Sequence, residues 1–306
     1  MVAGEPTGQQ HELRFEDHAA TVVEVGGGLR QYTVGGRPVL DGFDAQSRVD
    51  GGRGQVLVPW PNRVRDGRYT WAGAELQLPL TEAKKQNSIH GLLRWTSWAL
   101  LKRQRHRVLL GCRVWAQPGY PFQLEVAVDY SLAADGLSVA VTSRNIGTDG
   151  APYGVGQHPY ITAGTPLVDG TLLTIPAERW IATDDRGIPT GSRSVEGTEY
   201  DFRRPRAVGG QCLDTAFAGL ARDRSGSCAV RLGHPTHGSG VDVWLGEGVD
   251  YVQVFTGDTL PDPTRRRQGI AVEPMSCQPD AFRSGDGLVT LAPGATHTLR
   301  WGLTPF

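Results

Sequence analysis

Alternation with a period of two governs this chain. In QLEVAVDY, residues 123–130, Leu124, Val126, Val128 and Tyr130 alternate with Gln123, Glu125, Ala127 and Asp129, the pattern of a strand with one buried and one wet face. GLSVAVTSRN, residues 136–145, repeats it through Leu137, Val139 and Val141, and HRVLLGCRVWA, GVDVWLG, YVQVFTGD and HTLRWGL read the same way. Glycines at 26–28, 35–36, 51–52 and 209–210 punctuate these runs, as in short antiparallel strands joined by turns. No stretch carries a sustained helical period. The pattern predicts an all-β fold, a large antiparallel β-sandwich in one domain over residues 11–306, preceded by a disordered end over residues 1–10.

Composition excludes several classes of function. Hydrophobic residues make up 39% and charged residues 21% of the 306, as in a globular chain with a substantial core. The formal net charge is −1, so no global field attracts nucleic acid or an anionic membrane. Two basic runs, KRQRHR at 102–107 and TRRRQG at 264–269, are short, stand beside no nucleic-acid-binding motif and read as solvated surface. No apolar run is long enough to cross a bilayer, and the first residues lack the basic start and apolar centre of a signal peptide, so a cytoplasmic location is expected. Cys112, Cys212, Cys228 and Cys277 are scattered without a C-x-x-C pair, which argues against a zinc site or a disulfide scaffold. Eight tryptophans suit a core or the flat faces of a sugar cleft.

Five segments set chemically capable side chains beside stiff residues. In PWPNRVRDGRY, Trp60 stands between Pro59 and Pro61, ahead of Asn62 and Arg63; the prolines limit the backbone and aim Arg63, though alone it reads as a surface arginine. NSIHG places His90 beside Gly91, a glycine that admits close approach of a ligand or another backbone. APYGVGQHPY holds His158 between Gln157 and Pro159, either an incidental histidine in a turn or a positioned proton donor. QCLDTAF embeds Asp214 in apolar sequence, where a buried carboxylate needs hydrogen bonds from the protein or from ligand hydroxyls. VEPMSCQPDAF ends an apolar run on Glu273, against Pro274, a mount for a base or for a structural hydrogen bond.

In this order and at these spacings the five segments resemble the aldose 1-epimerases, or galactose mutarotases, over essentially the whole chain. The Pro-Trp-Pro-Asn-Arg version resembles a bacterial subgroup rather than the best-studied galactose enzymes. The resemblance implies a galactose mutarotase-like supersandwich, with Glu273 as catalytic base and His158 as acid. It implies that Arg63, His90 and Asp214 contact the sugar, with Asn62 and Gln157 among the substrate-binding residues and Phe255 flanking the cleft. It further implies no cofactor, no metal, a monosaccharide as the only partner, and a monomer or homodimer.

The implied reaction opens a pyranose ring by taking the C1 hydroxyl proton while protonating the ring oxygen. At ordinary pKa values near ~4.3 and ~6.5, the glutamate starts ionised and the histidine partly protonated. Gly154 and Gly156 are expected to let the backbone approach the sugar. The leading expectation is a mutarotase acting on a free aldohexose. An epimerase of a phosphorylated or sulfonated hexose would need extra cations at the cleft rim, with Arg63, Arg65, Arg68 and Arg94 as candidates. A non-catalytic carbohydrate-binding protein could lack the acid or the base, and both are present here. A glycoside hydrolase would need two carboxylates, for which Asp214 and Glu273 are the candidates.

Overall fold

The computed structural model describes residues 4–306, and its architecture is all-β. One large antiparallel sheet has nine strands, with Leu124–Ala133, Gly136–Asn145 and Thr296–Pro305 at its centre. The strands read from alternation fall where expected. Leu124, Val126, Val128 and Tyr130 are buried, and Val128 and Tyr130 pair in register with Val141 and Val139. Each such side chain taken fully out of water contributes roughly 1.5–3 kcal/mol. The only α-helix among the described residues is the single turn Ala281–Ser284. No helix is long and apolar enough to cross a membrane.

The second large sheet runs in the order Pro189–Ser194, Ala177–Thr183, Asp214–Leu220, Tyr251–Phe255, Ile270–Met275, Gly156–Gln157, Val56–Leu57, with Tyr160–Ile161 also pairing to Ile270–Met275. Its register sorts side chains by face. Ala216 lies opposite Gln253 and Gln253 opposite Glu273, while Asp214 lies opposite Phe255 and Phe255 opposite Ala271. Cross-strand partners share a face. Asp214, Gln253, Phe255 and Glu273 therefore project together, and Val252, Val254 and Val272 project the other way into the main core.

Gln157 corrects a sequence expectation. Rather than binding substrate, it faces the core between the two large sheets. Its amide nitrogen donates to Tyr130 Oη at 2.6 Å and to the Gly54 carbonyl at 3.1 Å, and its oxygen accepts from Trp301 Nε1 at 3.1 Å. Tyr130 and Trp301 belong to the nine-stranded sheet, so this amide ties the two layers together. The pleat that sends Gln157 inward sends His158 outward.

Three further expectations change. A Cβ on Gly154 would stand 2.5 Å from Cys277 Sγ, and one on Gly156 3.0 Å from the Pro274 carbonyl oxygen. These glycines let neighbouring segments close on one another, not on a ligand. Of the end expected to be disordered over 1–10, residues 1–3 lie outside the described residues. The rest is ordered: Thr7 is buried, its carbonyl accepts from the Val25 N–H at 2.9 Å, and a strand starts at Gln10. The basic run at 102–107 lies on an exposed hairpin; in the run at 264–269, Thr264, Arg266 and Gln268 are exposed as expected, but Arg265 and Arg267 are partly buried. Arg265 pairs with Asp41, and Arg267 with Asp169 and Asp258, because guanidinium groups partly withdrawn from water need carboxylate or carbonyl partners.

Replacing Gln157 by Leu strands the buried Trp301 indole N–H, at roughly 1–3 kcal/mol, while the Tyr130 hydroxyl keeps its bond to the Gly27 carbonyl. Urea unfolding of Gln157→Leu should show a lower midpoint at unchanged slope; an unaltered midpoint would remove the amide's bridging role.

Candidate functional site

The polar face of the second sheet forms the floor of a cavity of about 560 Å3, within the ~300–1,000 Å3 of small-molecule clefts. Seven of the eight residues singled out in the sequence line it: Asn62, Arg63, His90, His158, Asp214, Phe255 and Glu273. Gln157 is the exception, for the reason given above. Segments more than 200 residues apart in sequence converge because the strand ending at Gln157 and the strand Ile270–Met275 are neighbours in the sheet.

Glu273 and His158 meet at the bottom. His158 Nε2 stands 3.3 Å from Glu273 Oε1, and the two residues are 5% and 2% exposed. The imidazole is clamped on its sides. The Tyr160 ring stacks parallel to it at 5.1 Å between centroids, and the His90 ring meets it edge-on at 5.3 Å. Behind Tyr160, the guanidinium of Arg53 lies 4.0 Å from the ring centroid and is held by Asp41 at 2.7 Å. His158 Nδ1 and Glu273 Oε2 are buried without a hydrogen-bond partner in the protein, an arrangement that native interiors show rarely outside sites that receive a ligand.

His90 and Arg63 are placed by one small antiparallel pair, Arg63–Arg65 with Asn87–Ile89. Asn62 and His90 both adopt left-handed backbone, with φ of 53° and 62°. The His90 N–H donates to the Asn62 carbonyl at 2.8 Å, and the Asn62 N–H donates to His90 Nδ1 at 3.1 Å. That second bond makes Nδ1 the acceptor, so the neutral ring carries its proton on Nε2. Gly91 allows the turn: at φ +69° a Cβ there would stand 2.1 Å from the Val58 carbonyl oxygen. The close approach expected at this glycine is thus to backbone.

Arg63 is not free to swing. Its Nε and Nη2 donate to the two oxygens of Glu82 at 2.9 and 3.0 Å, Asn87 Nδ2 also donates to Glu82, and Asp214 Oδ2 lies 3.6 Å from Arg63 Nη1. Asp214 is half-exposed at the rim and accepts from Gln253 Nε2 at 2.6 Å. Among the tryptophans, Trp95, 57% exposed, lines the cavity, whereas Trp60 is buried in the core and Trp180 stacks on Tyr200. Of the cationic candidates, Arg94 lines the cavity with Arg63, while Arg65 pairs with Asp184 and Arg68 bonds Gln77. Sequence reasoning missed Glu82, Tyr160 and Arg53. Only Tyr160, within the His-Pro-Tyr stretch, carried a signal that could have marked it.

Burial shifts both groups towards their neutral forms, away from the starting states expected from ordinary pKa values. Dehydration, with Arg94 and Arg53 adding to it, pushes His158 down to about 3. Dehydration first, and the Asp214 charge second, raises Glu273 well above the carboxylate range, against the pull of Arg63. His90 is likewise depressed by burial, then by Arg94 and His158. Both shifts favour the uncharged forms, carboxyl beside imidazole.

Sequence and structure comparisons place the chain among known proteins. A sequence model of the aldose 1-epimerase family matches residues 9–304. The chain is 37% identical to the uncharacterized protein YihR of Escherichia coli over 294 residues, 96% of this chain and 92% of that one. It is 29% identical to mouse galactose mutarotase over 238 residues, 72% of this chain and 66% of the mouse protein. The fold matches that of an aldose epimerase homologue from C. elegans, with a TM-score of 0.86, 17% identity and 97% and 98% of the two chains covered. A putative aldose 1-epimerase from E. coli matches at a TM-score of 0.82 and 23% identity, covering 97% and 99%.

The buried acid carries a pH signature in stability. Its folded-state pKa lies above its unfolded value, so Glu273 stabilises the protein only while it can stay protonated, and that contribution is lost as pH rises. Glu273→Gln should therefore gain in melting temperature relative to the parent between pH 6 and pH 9. A difference that stays constant across that range would mean the carboxyl is already ionised when buried.

Proposed function

The chain belongs to the aldose 1-epimerase family, and from that premise we propose that it interconverts the α and β anomers of a free aldohexose. The reading rests on one observation: an imidazole and a carboxyl 3.3 Å apart at the floor of a cavity that also presents Arg63, His90 and Asp214. In this proposal Glu273 as carboxylate takes the proton from the C1 hydroxyl. His158 as imidazolium gives a proton to the ring oxygen as the C1–O5 bond breaks. The product is the open aldehyde, with the proton now on Glu273 and His158 neutral. After rotation about C1–C2, His158 takes back the C5 hydroxyl proton and Glu273 returns its proton to the aldehyde oxygen as the ring closes.

The direction of these shifts is compatible with the cycle. A protonated carboxyl beside a neutral imidazole is the state that meets the open aldehyde. The 3.3 Å contact lets the same proton cross to His158 when a cyclic sugar arrives. A C1 hydroxyl donating to the carboxylate and a ring oxygen accepting from the imidazolium then favour the charged form. Arg63, held by Glu82, and His90, donating from Nε2, orient the hydroxyls. Positioning of this kind and the proton transfers each contribute, the latter by roughly 10²–10⁴-fold.

A second reading, in which the hexose carries a phosphate or sulfonate, is favoured by Arg94. Its guanidinium is largely buried and lines the cavity. Its Nη2 donates to the Ile89 carbonyl at 3.3 Å, and its Nε is buried without a partner. Burial draws its pKa down to about 10, so it stays charged at neutral pH. The exposed Arg48 lines the same cavity. A dehydrated cation lacking a carboxylate is a receptor for an anion.

Exchange NMR on glucose and galactose tests the first reading. Glu273→Gln and His158→Asn should each slow anomer exchange by roughly 10²–10⁴-fold; parent-like exchange in either variant would refute its role. Sugar binding by the parent without any exchange would make it a carbohydrate-binding protein instead. For the second reading, Arg94→Gln should lower the ratio of kcat/KM for glucose 6-phosphate over glucose by roughly 10–100-fold, the equivalent of ~1.5–3 kcal/mol for a charge-assisted bond. An unchanged ratio would return Arg94 to the scaffold.

A further inference from the structure

We propose that the cavity floor is also a binding site for a divalent transition-metal ion, which His90, His158 and Glu273 ligate and which excludes the sugar. One ligand atom from each of the three residues lies within 4.8 Å of the other two, and all three are buried. Two ligands at the 2.0–2.1 Å typical of zinc and in tetrahedral arrangement stand about 3.3–3.4 Å apart. His158 Nε2 and Glu273 Oε1, at 3.3 Å, already have that separation. Only the His90 ring has to close in, from within 4.8 Å of the other two ligands. Nδ1 is occupied by the Asn62 N–H, which leaves Nε2 as the ligand and supplies the outer hydrogen bond that metal-binding imidazoles use to fix their orientation.

Two histidines and one carboxylate on an open cavity leave coordination positions for water, the donor set of zinc and ferrous sites. The unpartnered Glu273 Oε2, buried beside them, is a further donor. Arg94 opposes the ion: it lines the cavity without a carboxylate in hydrogen-bond contact, whereas Arg63 is paired with Glu82. The ion therefore acts as a competitor of the substrate rather than as part of the reaction. Metal binding stands on the same side chains as the anomer exchange but does not depend on that activity.

Calorimetric titration of Zn2+ into tag-free, chelator-treated protein tests the site. The expected result is one ion bound at the cavity, displaced by saturating sugar and removed by EDTA with recovery of exchange. Glu273→Gln and His90→Gln should each weaken binding by at least about 10–100-fold, the loss seen when even an outer partner of a ligand is removed. Arg94→Gln should tighten it. The exposed His234–His237 pair, with ring centroids 4.2 Å apart, is the competing binder, and His237→Ala should leave the cavity isotherm unchanged. Melting curves show which variants are folded. No heat at millimolar Zn2+, or binding that survives in folded His90→Gln and Glu273→Gln but not in His237→Ala, would overturn the proposal, whatever the outcome of the exchange assay.

Discussion

The register of three neighbouring strands, Asp214–Leu220, Tyr251–Phe255 and Ile270–Met275, is the constraint on which the rest depends. Pairing of Gln253 with Glu273 and of Asp214 with Phe255 puts the polar groups on one face and the valines on the other. A slip of one residue would invert every side chain of a strand, burying Glu273 in the valine layer and exposing Val272. The cavity is thus a consequence of hydrophobic sorting. The energy that holds Glu273 in place comes from the apolar face behind it, and the amide of Gln157 fixes how the two sheets meet.

Dehydration then gives that geometry its chemistry. A solvated glutamate and histidine would stand as an ordinary base and a weak acid. Enclosed together 3.3 Å apart, with Tyr160 and His90 packed against the imidazole, both are shifted towards their neutral forms. The cost of keeping two unpartnered polar atoms at this depth is compensated by the packing elsewhere, the usual way in which folds carry a reactive site. The same convergent imidazole and carboxylate donors that would serve a sugar are also of a type that transition-metal ions take, which is why the proposed metal site and the sugar site coincide.

The rim follows different rules from the floor. Floor residues stand on strands or on a tight hairpin and have one orientation, whereas Arg48, Trp95 and half-exposed Asp214 border solvent. In the proposed reading the floor carries the exchange chemistry, and sugar preference falls to the rim, where Arg94 and the exposed Trp95 line the cavity.

From sequence alone came the strands, through the alternation of apolar residues, and the residue types able to carry the chemistry, through their setting beside prolines and glycines. Both are local properties, and seven of the eight residues named from those settings share one cavity. Gln157 escaped because it stands one residue from His158: which of two adjacent side chains faces the core depends on the partner strand, not on the residue. Glu82 escaped because LTEAKKQN carries no rigid punctuation, and only folding brings its carboxylate to Arg63. The roles of Gly154 and Gly156, and the shift of Glu273 and His158 towards their neutral forms, were likewise decided by tertiary structure. Dehydration and the distances to Arg53, Arg94 and Asp214 are properties of enclosed space that no linear spacing contains.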